Sequence, residues 1–124
     1  MKKIIVFAFT VMIMLAYTSC QYTDIVPDDG SGVVVSDDLS FSVDVEPIFK
    51  AQSCTNCHPG MNQPNLTEGN AYASLMDGDY INKKNPQDSE IVTEAAPGTS
   101  HGANLTSAQV QIIIAWIEQG AKDN

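Results

Sequence analysis

Two cysteines and a histidine fall within the five consecutive positions Cys54-Thr55-Asn56-Cys57-His58, near the middle of a chain of 124 residues. These residue types are scarce, because the whole sequence holds three cysteines and two histidines. The second histidine, His101, lies 43 positions further on, in a polar segment that contains glycine. Thiols and imidazoles are the side chains that bind soft and borderline metal ions. The spacing therefore points to a cofactor or a metal site.

The pattern C-x-x-C-H is typical of covalent haem attachment. The two thiols add to the vinyl groups of the haem, and the adjacent imidazole binds the iron. In this interpretation Cys54 and Cys57 form the thioether bonds of one haem c, and His58 is the proximal iron ligand. Haem of this type is attached outside the cytoplasm, which requires the chain to be exported.

Three other interpretations of the motif stay open. A thioredoxin-like redox pair would use Cys54 and Cys57, but is expected in a βαβ setting. A zinc site would use both thiolates, His58 and a fourth ligand, yet His58 directly follows Cys57 and lacks the usual finger spacing. A structural disulfide would suit an oxidising compartment, but it would close a very short loop. We expect haem attachment ahead of all three.

The start of the chain predicts export and a lipid anchor. A basic start precedes an uncharged apolar run from Ile4 to Tyr17, which is shorter than the roughly 20 residues of a bilayer-spanning helix. Thr18-Ser19-Cys20 then resembles the lipobox of bacterial lipoproteins. We expect a signal peptide over residues 1–19 and acylation of Cys20, which would place the protein on a membrane of the cell envelope and account for the odd cysteine. The alternative is an ordinary signal peptide that ends beside a cysteine.

The rest of the chain is acidic. The formal net charge is −9, with 15 acidic residues, and arginine is absent. This balance argues against nucleic acid as a partner and against binding to an anionic membrane surface. The charge favours a partner protein with a basic face. Residues 20–40 are rich in Asp, Gly and Ser and predict a flexible tether, which leaves residues 41–124 as the folded domain.

Helical patterns dominate that domain, and the period-2 alternation of strands is missing. Asp44 is predicted to cap a first helix that has Pro47 in its first turn. Weaker patterns predict short helices over residues 71–76, with Met76 facing inward, and over residues 89–95. We expect an all-α domain with long loops, which at about 80 residues is small enough to need a staple such as a covalent cofactor.

The last helix is the clearest element in the sequence. Thr106 to Gln109 form a capping box, and Leu105 can pack on Val110 as a hydrophobic staple. An apolar face follows with helical spacing, and Gly120 ends the helix. The members of that face are Val110, Ile113, Ile114 and Ile117, widened by Ile112 and Trp116.

With these motifs in place, residues 43–121 resemble a small class I-like monohaem cytochrome c domain, of the kind carried by lipoproteins of Bacteroidota and planctomycetes. The matching segments are Val45-Glu46-Pro47-Ile48-Phe49, Cys54-x-x-Cys57-His58-Pro59, Asn85-Pro86-Gln87-Asp88-Ser89, Leu105-Thr106 and Ala115-Trp116-Ile117-Glu118-Gln119-Gly120-Ala121. The resemblance implies a cytochrome c fold. In that fold the N-terminal helix, carrying Phe49, crosses the C-terminal helix, carrying Trp116, over a covalently bound haem.

The sixth ligand of the iron departs from the family pattern. In the family it is usually a methionine just before the C-terminal helix, but residues 96–104 contain none. His101 lies in that segment, five positions before Thr106, and we predict it as the distal ligand. Met76 is the alternative ligand, and an open sixth position is the remaining possibility. Two imidazoles generally leave the haem potential lower than a histidine with a methionine does.

The resulting expectation is a membrane-tethered electron carrier rather than an enzyme. The alternatives are a haem-binding sensor or small-ligand-binding module with a labile or open sixth position, and an anchored interaction module without haem.

Overall fold

The computed structural model describes residues 34–124, and this part of the chain is helical and contains no strand. The prediction of an all-α domain is therefore confirmed for these residues. In chain order the elements are a π-helical segment (Phe41–Val45), α1 (Glu46–Ala51), a 3-10 turn (Cys54–Asn56), α2 (Ala71–Asp77), a 3-10 turn (Pro86–Asp88), α3 (Glu90–Thr93) and α4 (Ser107–Glu118). Long loops join them.

The predicted signal peptide, the lipidation site at Cys20 and the first part of the predicted tether lie outside the described residues. Within residues 34–124, no helix is long and apolar enough to cross a membrane.

The last residues of the predicted tether pack on the folded domain. Leu39 is buried, and its backbone N–H donates a hydrogen bond to Gln119 Oε1 at 2.8 Å. The side-chain amide of Gln119 donates in turn to the carbonyl of Ser36 at 2.8 Å. Packed chain thus begins before the domain boundary that we predicted at residue 41. The sequence gives little sign of this, because Leu39 stands alone among polar residues.

The first helical segment starts at Phe41, earlier than a cap at Asp44 would allow. Asp44 lies inside the segment, and its carboxylate accepts a hydrogen bond from the Ser40 N–H at 2.8 Å. Pro47 lies in the first turn of α1, as predicted, but α1 continues directly from the π-helical segment. In a regular α-helix its ring would collide with the carbonyl of Val43. The wider π-helical turn that closes on the Phe41 carbonyl avoids this collision.

The capping box of α4 is confirmed. The Thr106 hydroxyl accepts from the Gln109 N–H at 3.2 Å, and Gln109 Oε1 accepts from the Thr106 N–H at 2.8 Å. The helix ends at Glu118, just ahead of Gly120, whose φ of +107° is a backbone conformation that glycine adopts without steric cost. The side chains of α4 buried in the core are Ile113, Ile114, Trp116 and Ile117.

The two short middle helices are present, but Met76 does not join the core as predicted. In α2, Ala71 and Leu75 are buried at i, i+4 spacing, which fixes the inward face. Met76 lies about 100° further round the helix, and it is only half-buried and does not join the core. The prediction that Met76 faces inward is wrong for this reason. The helix predicted over residues 89–95 is shorter, Glu90–Thr93, with Ile91 and Val92 buried.

An aromatic cluster joins the two ends of the domain. The ring of Phe41 lies 5.1 Å from that of Trp116 and 5.3 Å from that of Tyr72, measured between ring centroids. Trp116 Nε1 donates to the Lys122 carbonyl at 3.0 Å, so the buried indole is hydrogen-bonded. Phe41 thus links the N-terminal helical segment to α4.

We predict that Phe41→Ala lowers the free energy of unfolding by about 3–5 kcal/mol, because it removes a buried ring from the centre of this cluster. Val43, on the same turn, is 71% exposed and provides the control. Val43→Ala should change the stability by no more than about 0.5 kcal/mol. Urea titrations of both variants measure the difference, and equal effects would show that the cluster is not what holds the two ends together.

Candidate functional site

A cavity of about 190 Å³ lies between three parts of the chain. These are α1, the 3-10 turn Cys54–Asn56 with the loop that follows it, and the segment that connects α2 to α4. Cys54, His58 and His101 all line it. Its apolar lining comes from Phe49, Pro64, Leu66, Ile91, Ala95 and Leu105. The cavity therefore combines an apolar wall with the thiol and imidazole groups that the sequence singles out.

The backbone of the Cys54-x-x-Cys57-His58 motif forms a tight turn. The N–H groups of Cys57 and His58 both donate to the carbonyl of Cys54, at 3.2 and 3.0 Å. The carbonyl of Cys57 accepts from the side-chain amide of Asn62 at 2.8 Å, and that of His58 accepts from the Leu66 N–H at 3.0 Å. All three carbonyls are thus engaged, and the turn holds the His58 ring against the cavity.

A backbone carbonyl selects the tautomer of the neutral His58 ring. The Nδ1 atom of His58 lies 3.0 Å from the carbonyl oxygen of Pro64. A carbonyl oxygen only accepts hydrogen bonds, so in the neutral ring Nδ1 carries the hydrogen and Nε2 keeps its lone pair. Metal-binding histidines are oriented by this type of second hydrogen bond. The geometry leaves His58 ready to bind a metal through Nε2.

His101 faces His58 within the same cavity. The centroids of the two imidazole rings lie 6.0 Å apart, and the ring planes are within 10° of parallel. Two imidazoles that bind one metal ion from opposite sides have ring centres about 6 Å apart, because each metal–nitrogen bond is about 2 Å long. The separation of the two ring centres therefore matches that of a shared metal ion, although the rings are stacked, and a nitrogen of each ring would have to turn toward the ion to bind it.

The two cysteines of the motif have different surroundings. Cys54 is buried and Cys57 is exposed, and both are free thiols. Burial, and to a smaller extent the neighbouring Cys57, raises the pKa of the Cys54 thiol, although a backbone hydrogen bond opposes the shift. A reactive redox pair needs a lowered thiol pKa. With no strand in residues 34–124, the βαβ setting of a thioredoxin-like pair is also missing from the described chain.

The other candidate ligands do not meet at this cavity. Met76 borders a separate surface depression with Asp79 and Lys83. Among the described residues, no three His, Cys, Asp or Glu side chains form a cluster that could hold a metal ion. What the structure does bring together is the pair of imidazoles with the buried thiol of Cys54.

Several site features escape sequence reasoning. The Pro64 carbonyl carries no sequence signal, because any residue offers one. Tyr80 also lines the cavity, and its ring lies against the backbone of Gly78. A Cβ atom at position 78 would lie 2.2 Å from Tyr80 Cε2 and 2.7 Å from Cδ2. Gly78 is the one feature of this contact that the sequence shows, and a glycine at this position is equally typical of the end of a helix.

Comparisons of the chain with protein-family models, curated proteins and solved structures find no match.

We predict that Gly78→Ala destabilises the protein by about 1–3 kcal/mol, because the added methyl group displaces the Tyr80 ring from the cavity wall. Gly102→Ala is the control, since its Cβ meets no atom within 4 Å. Thermal unfolding measures both variants. If the clash is with Tyr80, Gly78→Ala should cost little in a Tyr80→Ala background, and an unchanged cost there would contradict this explanation.

Proposed function

We propose that the chain is a c-type cytochrome with one covalently attached haem, and that it carries single electrons between redox partners in the cell envelope. The observation that carries this proposal is the pair of imidazoles, His58 and His101, 6.0 Å apart in a cavity that the buried Cys54 also lines. Residues 34–124, which are helical and contain no strand, are compatible with a small cytochrome c fold.

The residues present fit such a group. Cys54 and Cys57 supply two free thiols, which would become the thioether bonds. His58 would be the proximal ligand through Nε2, because Nδ1 is held by the Pro64 carbonyl. His101 would be the distal ligand. When bound, a haem c supplies an iron centre that accepts and releases one electron.

The other residues that line the cavity have two roles in this proposal. The side chains of Phe49, Leu66 and Leu105 keep water away from one side of the site. Glu90 and Glu94 also line the cavity and are exposed to solvent, so they bring negative charge to its mouth. Negative charge favours the oxidised, more positive iron. Together with two imidazole ligands, it favours a low reduction potential.

Electron transfer suits this site better than catalysis. The sequence contains two histidines, and both would be bound to iron, so neither could act as a general base. An iron with six ligands leaves no position for a substrate. The acidic chain favours a redox partner with a basic face, and such an association would weaken as salt is added. Lipid on Cys20 would tether the carrier to a membrane.

A haem-binding sensor is the second candidate, and the surroundings of His101 favour it. The side chain of His101 is exposed and lies in a loop without regular structure. A ligand on such a loop is easier to displace than one on a packed helix. A small gas that replaced His101 would make the site a sensor rather than a carrier.

The attachment proposal predicts that the protein, expressed in a host that matures c-type haem, keeps a haem stain after denaturing electrophoresis. A Cys54→Ser/Cys57→Ser variant should lose the stain, because it lacks both thiols. Cys20→Ser should keep the stain but leave the membrane fraction. A wild-type band without haem would contradict the proposal.

The ligation proposal predicts that His101→Ala converts a six-coordinate, low-spin absorption spectrum into a high-spin one. Met76→Leu should leave the spectrum unchanged, since Met76 lies outside the cavity lining. Visible spectroscopy of the purified oxidised proteins makes the comparison. A low-spin spectrum that survives His101→Ala, or that is lost with Met76→Leu, would exclude His101 as the ligand.

A further inference from the structure

We propose that Thr99 and Asn104 are positioning residues that hold His101 opposite His58, and that they thereby keep the sixth position of the iron closed. This inference rests on the proposed function, because it requires His101 to bind the iron. It concerns the neck of the His101 loop, which we define as the contacts that Thr99 and Asn104 make with each other and that the Thr99 hydroxyl makes with the carbonyls of Glu94 and Ala96.

The tip of the loop has little of its own to hold it in place. Ser100, His101 and Gly102 are all exposed, and the space around Gly102 is open, since a Cβ there would meet nothing within 4 Å. Ala103 is the residue of the tip that packs against the core, and it is half-buried. The direction of the His101 ring must therefore be set where the loop leaves the folded part of the domain.

The base of the loop is closed by the backbone. The N–H of Leu105, which is buried, donates to the carbonyl of Ala95, which is also buried, at 2.8 Å. This bond fixes where the loop starts and ends, but nine residues, 96–104, lie between its two ends. A loop of that length has many conformations, and one distant bond does not select among them.

The neck supplies the further restraint. The Thr99 hydroxyl lies 2.7 Å from the carbonyl of Glu94, 3.1 Å from that of Ala96 and 3.0 Å from Asn104 Oδ1. The side-chain amide of Asn104 also reaches the Thr99 carbonyl, at 3.4 Å. Because a hydroxyl has one hydrogen, Thr99 contributes about one donated hydrogen bond at a time, shared among these oxygens.

These contacts shorten the mobile part of the loop to the four residues between Thr99 and Asn104. The tip that carries His101 then has few conformations left, and its ring stays near the one that faces His58 at 6.0 Å. Without the neck, the backbone bond at the base would persist while the ring would spend more time away from the site. The neck therefore affects how often the sixth position opens, more than whether the domain folds.

The test is the rate at which carbon monoxide binds to the reduced protein with its haem attached. Carbon monoxide can bind only when His101 has left, so its rate reports how often the position opens. Thr99→Val keeps the shape of the side chain but removes the hydroxyl, and it should raise the rate about fivefold, the effect of one net hydrogen bond. Thr99→Ser, which keeps the hydroxyl, should restore a rate close to that of the wild type.

Asn104→Ala should raise the rate in the same direction. Because Thr99 and Asn104 share contacts, the Thr99→Val/Asn104→Ala double variant should show less than the product of the two single effects. Tyr72→Phe is the matched control, since it removes one hydroxyl hydrogen bond, 3.1 Å to the Ala121 carbonyl, in the aromatic cluster. It should leave the carbon monoxide rate unchanged even if it lowers the melting temperature.

Any of three results would contradict the proposed role of the neck. These are an unchanged carbon monoxide rate in Thr99→Val, or an increase in Thr99→Ser or in Tyr72→Phe that equals the increase in Thr99→Val. His101→Ala separates this failure from that of the proposed function. If His101→Ala binds carbon monoxide much faster than the wild type and Thr99→Val does not, the ligation stands and the neck is wrong. If His101→Ala binds carbon monoxide no faster than the wild type, His101 is not the iron ligand, and the proposed role of the neck is wrong as well.

Discussion

The opposition of two imidazole rings across one cavity is the constraint on which the rest of the site depends. His58 and His101 come from distant parts of the chain, and their ring centres are held 6.0 Å apart. Each ring is held differently. A rigid turn and the Pro64 carbonyl fix His58, whereas His101 sits on an exposed loop. The two sides of the cavity thus differ in how firmly they hold their histidine ring.

The aromatic cluster and the cavity are built from different residues of this small domain. Its aromatic cluster, around Phe41 and Trp116, lies where the N-terminal helical segment meets α4. The cavity is formed by other residues, among them Phe49 in α1 and Leu105 ahead of α4. A domain of this size buries little apolar surface. A covalent cofactor in the cavity would supply the apolar contacts that the loops around it do not make with one another.

Some features of the fold and of the site could be predicted from the sequence, and others could not. The capping box at Thr106 and the C-x-x-C-H motif are local patterns, and each depends on side chains a few positions apart. The start of the first helix was missed because Asp44 resembles a cap, while its carboxylate in fact accepts from the Ser40 N–H. Met76 was wrongly placed in the core, because a short helix offers too few residues to define its inward face.

The missed parts of the site share a physical reason. The carbonyl of Pro64 is a backbone group, and the contact between Gly78 and Tyr80 depends on how the chain turns after α2. Neither type of interaction produces a periodic or spaced pattern that a sequence displays. The position of His101 before α4 is visible in the sequence, whereas the hydrogen bonds that Thr99 makes in the same loop are not.

The most direct test of the central claim is to count the histidine nitrogens bound to iron in the oxidised wild-type protein. Pulsed electron paramagnetic resonance, on protein grown with ¹⁵N-labelled histidine, detects each bound imidazole by its hyperfine coupling. We predict a low-spin iron signal coupled to nitrogen from two histidines. A high-spin signal, coupling to one histidine alone, or the absence of protein-bound iron would contradict the account.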